Sequence, residues 1–156
     1  MAQPLRFVSA ACLATIAACQ SPPDSTAVPV TETFRDFGEY VMHFNALTTD
    51  QLTAEIAQRH GIVRSNNRAM LNVSILRKRD GSLGVPVAAR VTVSANNLTG
   101  QLKNVSLKEV REAEAIYYLA ESAVANGETL IYAIDAIPES RDAPLSIRYR
   151  KQFFLD

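Results

Sequence analysis

From Ala69 to Ala95 the chain alternates apolar and polar side chains in two runs, Leu71/Val73/Ile75 and Val87/Ala89/Val91/Val93, with Asp80-Gly81 between them. Successive side chains of a strand point to opposite faces, so this period of two predicts half-buried strands, and Asp-Gly is a reversal signal. Together the runs predict a central antiparallel hairpin. Upstream, Tyr40, Met42, Phe44 and Ala46 share one face, predicting a first strand within Phe34 to Leu47. Between Thr48 and His60 the spacing turns helical through Leu52, Ile56 and Arg59, with Thr49 or Asp50 as N-cap and Gly61 as stop.

The same grammar continues downstream. Leu102, Val105, Leu107 and Val110 predict a weaker strand within Gln101 to Val110. Ala115 to Val124 follows, with Ile116/Tyr118/Ala120 on one face and Tyr117/Leu119 on the other. Asn126-Gly127 predicts a hairpin turn into Leu130 to Ile137, apolar at nearly every position, as a central strand covered on both faces would be. Leu145/Ile147/Tyr149 and Phe153 close the chain as a last strand, with Ser146/Arg148/Arg150/Gln152 facing out. About seven strands with regular turn signals predict an all-β antiparallel sandwich carrying one short helix near the N-terminal end of the domain. A small barrel is the alternative.

The first 18 residues read differently. One charge, Arg6, precedes an apolar run from Phe7 to Ala18, too short to span a bilayer, and small residues end it. This predicts a secretory signal over residues 1–18. Ile16-Ala17-Ala18-Cys19 resembles the lipobox of bacterial lipoproteins, which implies lipidation of Cys19 and cleavage before it. Several acyl chains hold durably where one binds marginally. Gln20 rather than Asp follows, so the expected location is the periplasmic side of the outer membrane of a Gram-negative host. Residues 19–33 hold Pro22, Pro23 and Pro29 among Ser, Thr and small residues, the composition of a tether. The domain then covers residues 34–156.

Composition narrows the function classes. Of 156 residues, 47% are apolar and 21% charged, ordinary for a globular domain. Lys plus Arg and Asp plus Glu number 16 each, giving no field to attract nucleic acid. Loss of Arg6 with the leader leaves 15 against 16, still uninformative about partners. The only cysteines are Cys12 and Cys19, so neither a disulfide nor a Cys-rich metal site is expected in the domain.

Phe37-Gly38-Glu39-Tyr40, His43-Phe44-Asn45-Ala46-Leu47, Gly61-Ile62-Val63-Arg64-Ser65 and Arg68-Ala69-Met70-Leu71-Asn72 resemble a bacterial family known as domain of unknown function 4426. Glu109-Val110-Arg111-Glu112 with Ala115-Ile116-Tyr117-Tyr118 is similar to it as well. The likeness runs from about Phe34 to the end. It implies a secreted or periplasmic setting and an immunoglobulin-like antiparallel β-sandwich. It implies no activity, substrate, cofactor or catalytic residue.

Candidate chemistry is sparse. Met42, His43, His60 and Met70 are soft or imidazole donors that suit copper, but Met42 and His43 are adjacent on a strand and point to opposite faces. His43, His60 and Met70 remain weak metal candidates. There is no Gly-x-Ser-x-Gly elbow or phosphate-binding glycine loop, and Glu112 and Glu114 beside Arg111 read as a solvated turn. Asn72, Asn97 and Asn104 begin glycosylation sequons, which a bacterial lipoprotein would not use. Asn45, Arg64, Asn66, Asn67, Arg68 and Asn72 fall on the first strand, the loop before the hairpin and its start, and would form a polar patch if those loops meet. Arg148, Arg150 and Lys151 fit edge-strand protection. The expectation is a non-catalytic, membrane-anchored binding or accessory module whose partner is an envelope protein or small ligand. The alternatives are a copper or small-ligand carrier and a hydrolase-type enzyme of no recognisable class.

Overall fold

The computed structural model describes residues 32–155. The expected leader, Cys19 and nearly all of the tether lie outside the described residues. In chain order the strands are β1 (Phe34–Asp36), β2 (Tyr40–Thr48), β3 (Arg68–Arg77), β4 (Val85–Pro86), β5 (Ala89–Asn97), β6 (Ser106–Glu112), β7 (Ala115–Ala123), β8 (Thr129–Pro138) and β9 (Leu145–Gln152). A 3-10 turn, Thr49–Gln51, and helix α1, Ala54–His60, lie between β2 and β3. All pairings are antiparallel, in one sheet ordered β1-β2-β3-β7-β6 with β4 beside β3, and a second ordered β5-β8-β9. The molecule is an all-β sandwich with one short helix.

The core lies between the sheets and is built by the alternation itself. Tyr40, Met42, Phe44 and Ala46 of β2 are at most 3% exposed, and Leu71, Val73 and Ile75 of β3 at most 1%. They meet Leu130, Tyr132 and Ile134 of β8 and Leu145, Ile147 and Tyr149 of β9 in one cluster. Phe44 and Tyr149 pack ring to ring across the sheets at 5.0 Å. The Tyr118 hydroxyl of β7 accepts a 2.8 Å hydrogen bond from the Ala89 N–H of β5, pinning the sheets polar group to polar group. Burial raises the phenol pKa of Tyr118, partly opposed by that bond.

Three sequence expectations are corrected, and one gains an addition. The strand expected within Phe34 to Leu47 is present as β2, with a short β1 before it: Asp36 accepts from the Gly38 N–H at 2.8 Å, Gly38 takes φ +84°, and the chain doubles back from β1 into β2. The runs around Asp80-Gly81 do not form the expected hairpin. Only the stub β4 pairs with β3, through Leu76↔Pro86 and Arg77↔Val85, and β5 then crosses to pair with β8. Gly84 enables that tight return, with φ +101° and a position where a Cβ would sit 3.0 Å from the Arg77 carbonyl. Likewise Asn126-Gly127 carries the chain from β7 in one sheet to β8 in the other, so it is not a hairpin turn. β8 is the central strand of its sheet, but its burial alternates, so only one face is covered. The two pairing errors share one cause, since alternation says which face is buried and nothing about which strand lies alongside.

Candidate functional site

The sheet face turned away from the core would be expected to be polar, yet Met70, Val110 and Leu119 are there and no more than 9% exposed. α1 is what covers them. The helix is capped by Thr53, whose hydroxyl accepts from the Ile56 N–H, not by Thr49 or Asp50 as the spacing predicts. Gly61 ends it at φ +62° as predicted. Its last turn is tied to β6 by Lys108, whose ammonium donates to the His60 carbonyl at 2.8 Å. A cation there suits the negative end of the helix dipole.

Thr49 fixes the loop that follows. Fully buried, its hydroxyl contacts the Val63 carbonyl at 2.8 Å and the Ser65 carbonyl at 3.1 Å, and accepts from the Ser65 N–H at 2.9 Å. That clamp holds both ends of the α1 excursion at the end of the β2–β3 pair, with Arg64 adding a 2.7 Å bond to the Asp50 carbonyl.

Between α1 and the sheet lies a cleft of about 300 Å³. Leu52, Ile56, His60 and Ile62 form its helix side. Leu47, Met70, Val110 and Leu119 give its sheet side an apolar surface. Set into that surface are Asn45 and Asn72, directly opposed across β2 and β3. The Asn72 Oδ1 is buried with no hydrogen-bond partner. At the rim Glu112 stands 3.3 Å from His60 Nε2 and 3.7 Å from the Arg59 guanidinium, which also holds Glu55 at 2.6 Å.

The residues singled out from the sequence are thus divided. Asn45, Asn72, His60 and Met70 share the cleft. Asn67 and Arg68 instead line a separate hollow of about 440 Å³ with Ser122, and Arg68 pairs there with Glu121 at 3.3 Å. Asn66 is exposed on the loop before β3. His43 is exposed on β2 with its ring 5.9 Å from that of Phe34. Among the described residues no group of three or more His, Cys, Asp or Glu side chains is placed to hold a metal ion. A third hollow, of about 520 Å³, has Arg90, Arg111 and Arg141 mixed with Glu109, Glu139 and Asp142, so no sign of charge dominates it.

Residues 34–156 match the family model described as domain of unknown function (DUF4426). The chain belongs to this family. A crystal structure of a DUF4426 family protein from Pseudomonas aeruginosa PAO1 is similar, with 30% sequence identity and a TM-score of 0.67 over 79% of this chain and 94% of that one. No curated protein matches.

In this DUF4426 domain the sequence reading missed the cleft itself, and with it Glu112 and Tyr117 as liners. The signal was present in β7, where Tyr117 and Leu119 are apolar on the face opposite Tyr118 and Ala120. A strand apolar on both faces needs a second cover, and among the described residues the short helix supplies it.

Proposed function

We propose that this DUF4426 domain is a non-catalytic binding module, held by lipid on Cys19 at the periplasmic side of the outer membrane, that takes a small ligand in the cleft under α1. One observation supports the reading above others: beside the small cluster of Ala57, Ile62, Met70, Val110 and Leu119 that seats α1 on the outer sheet face, the cleft sets two opposed amides, Asn45 and Asn72, among aliphatic walls. Binding sites are concave, mostly apolar and carry a few convergent polar groups, which describes this cleft. The His60–Glu112 pair faces no Ser, Thr or Cys among the residues that line it, which favours binding over nucleophilic hydrolysis.

A second reading, metal carriage, draws on His60 and Met70 lining the same cleft. Imidazole and thioether together suit Cu(I). Titration with Cu(I) separates the two, since binding lost in Met70→Leu would favour the metal.

The anchor is tested by labelled fatty acid, whose incorporation should vanish in Cys19→Ala. For the cleft, the chain is isolated from envelopes as wild type and as Asn45→Trp, which fills the mouth from an exposed position. Small molecules that accompany only the wild type support the reading. Identical profiles from both would overturn it.

A further inference from the structure

Of the polar side chains lining the cleft, Asn45 and Asn72 are primary amides, beside the Tyr117 phenol and the paired His60 and Glu112. Resting on the binding reading above, we infer that its ligand is a neutral apolar molecule bearing a carboxamide. Three observations converge on that class.

The first is the wall. Ile56, Ile62, Met70, Val110 and Leu119 surround the space, so most of the ligand surface must be hydrocarbon. A sugar or other polyol would bury hydroxyls against these side chains without partners.

The second is the charge. Among the described residues no Lys or Arg side chain lines the cleft, and the one carboxylate, Glu112, stands 3.3 Å from His60 and 3.7 Å from Arg59. An anion entering would lose its hydration with no cation at the cleft surface and a carboxylate at the rim. A cation would gain little from a carboxylate that two groups already engage.

The third is the hydrogen bonding. Asn72 presents an Oδ1 that is buried and unpartnered. Neither the Asn45 amide nor the Tyr117 phenol has a partner among the described residues. The set therefore offers both acceptors and donors within one small area. A carboxamide offers the same two in return, its N–H to the Asn72 Oδ1 and its C=O to Asn45 or Tyr117. The match survives a swap of amide O and N at either Asn, because an amide complements another amide in both orientations. A carboxylate of the same shape accepts only, and would leave the Asn72 Oδ1 facing a lone pair.

The experiment is a titration of the full chain with two probes of one shape, cyclohexanecarboxamide and cyclohexanecarboxylate, followed by chemical shifts of Asn45, Met70 and Leu119. The amide should bind at least about tenfold more tightly, the ratio expected when one buried acceptor is satisfied in one complex and orphaned in the other. Asn72→Leu should bring the two probes to within about threefold of each other, for the same reason. Asn45→Leu, on an exposed position where folding is not at stake, should narrow the ratio as well. If the carboxylate binds as tightly as the amide, or if both variants keep the preference, the carboxamide assignment falls while the cleft remains a binding site. If neither probe moves those resonances, the binding reading falls, and the assignment with it.

Discussion

Asn45 and Asn72 occupy the same rung of the β2–β3 ladder, on the sheet face turned away from the core, where both line the cleft beside α1. Two amides side by side in a mostly apolar cleft, one with a buried acceptor left unpaired, cost the folded state stability. Asn72→Leu should therefore leave the protein as stable as the wild type, or more stable by about 1 kcal/mol. Urea unfolding measures it, and a loss of more than about 1 kcal/mol would show that the amide is structural.

Thr49 should behave in the opposite way. Among the described residues its hydroxyl is the only side-chain bridge from the 3-10 turn to Val63 and Ser65. Thr49→Val keeps the shape and deletes the hydroxyl, stranding the Ser65 N–H, and should cost about 2 kcal/mol. An unfolding midpoint equal to wild type would mean that the clamp does not hold the α1 excursion in place.

Glu128 sets a pH dependence. Its carboxylate sits between Lys103 at 2.9 Å, the Ala125 N–H at 2.8 Å and Asn97 at 3.3 Å, with 13% of the side chain exposed. Burial works against ionisation, but the Lys103 ammonium, the Ala125 N–H and Asn97 outweigh it and hold the pKa below the ordinary 4.5. A depressed folded pKa means that the folded chain binds fewer protons, so this stability is complete above about pH 4.5 and is lost as pH falls through the folded value. Asp36, lowered by Lys78 at the surface, titrates in the same direction. The measure is accordingly the difference between wild type and Glu128→Gln: it should shrink on acidification, as melting curves at descending pH will show. A difference independent of pH would exclude the carboxylate as its source.

The Lys108 ammonium donates from the sheet to the His60 carbonyl at the end of α1. Lys108→Met should change global stability by less than about 1 kcal/mol, because an exposed bond is worth little. Amide exchange in α1 should nevertheless quicken selectively, since the helix is short and depends on its tethers. Uniform exchange changes across β2 and β3 would instead mean that Lys108 supports the whole sheet.

The sequence alone determined which faces meet. The alternation of β2, β3 and β9 places Tyr40, Leu71, Tyr149 and their neighbours in the core, because a period of two leaves a strand no other way to bury its apolar side. It also located the helix stop at Gly61 and the outward basic side chains of β9, now seen on an edge strand. Tertiary structure decided the pairing: β5 lies beside β8 rather than β3, because a hydrophobic face is satisfied equally by either sheet and only the crossing at Gly84 to Ala88 breaks the tie. It decided the cleft for the same reason. Asn45, His60, Asn72 and Glu112 are scattered over four elements of the chain, and no local spacing encodes the distance between a helix and a sheet that long-range packing brings together.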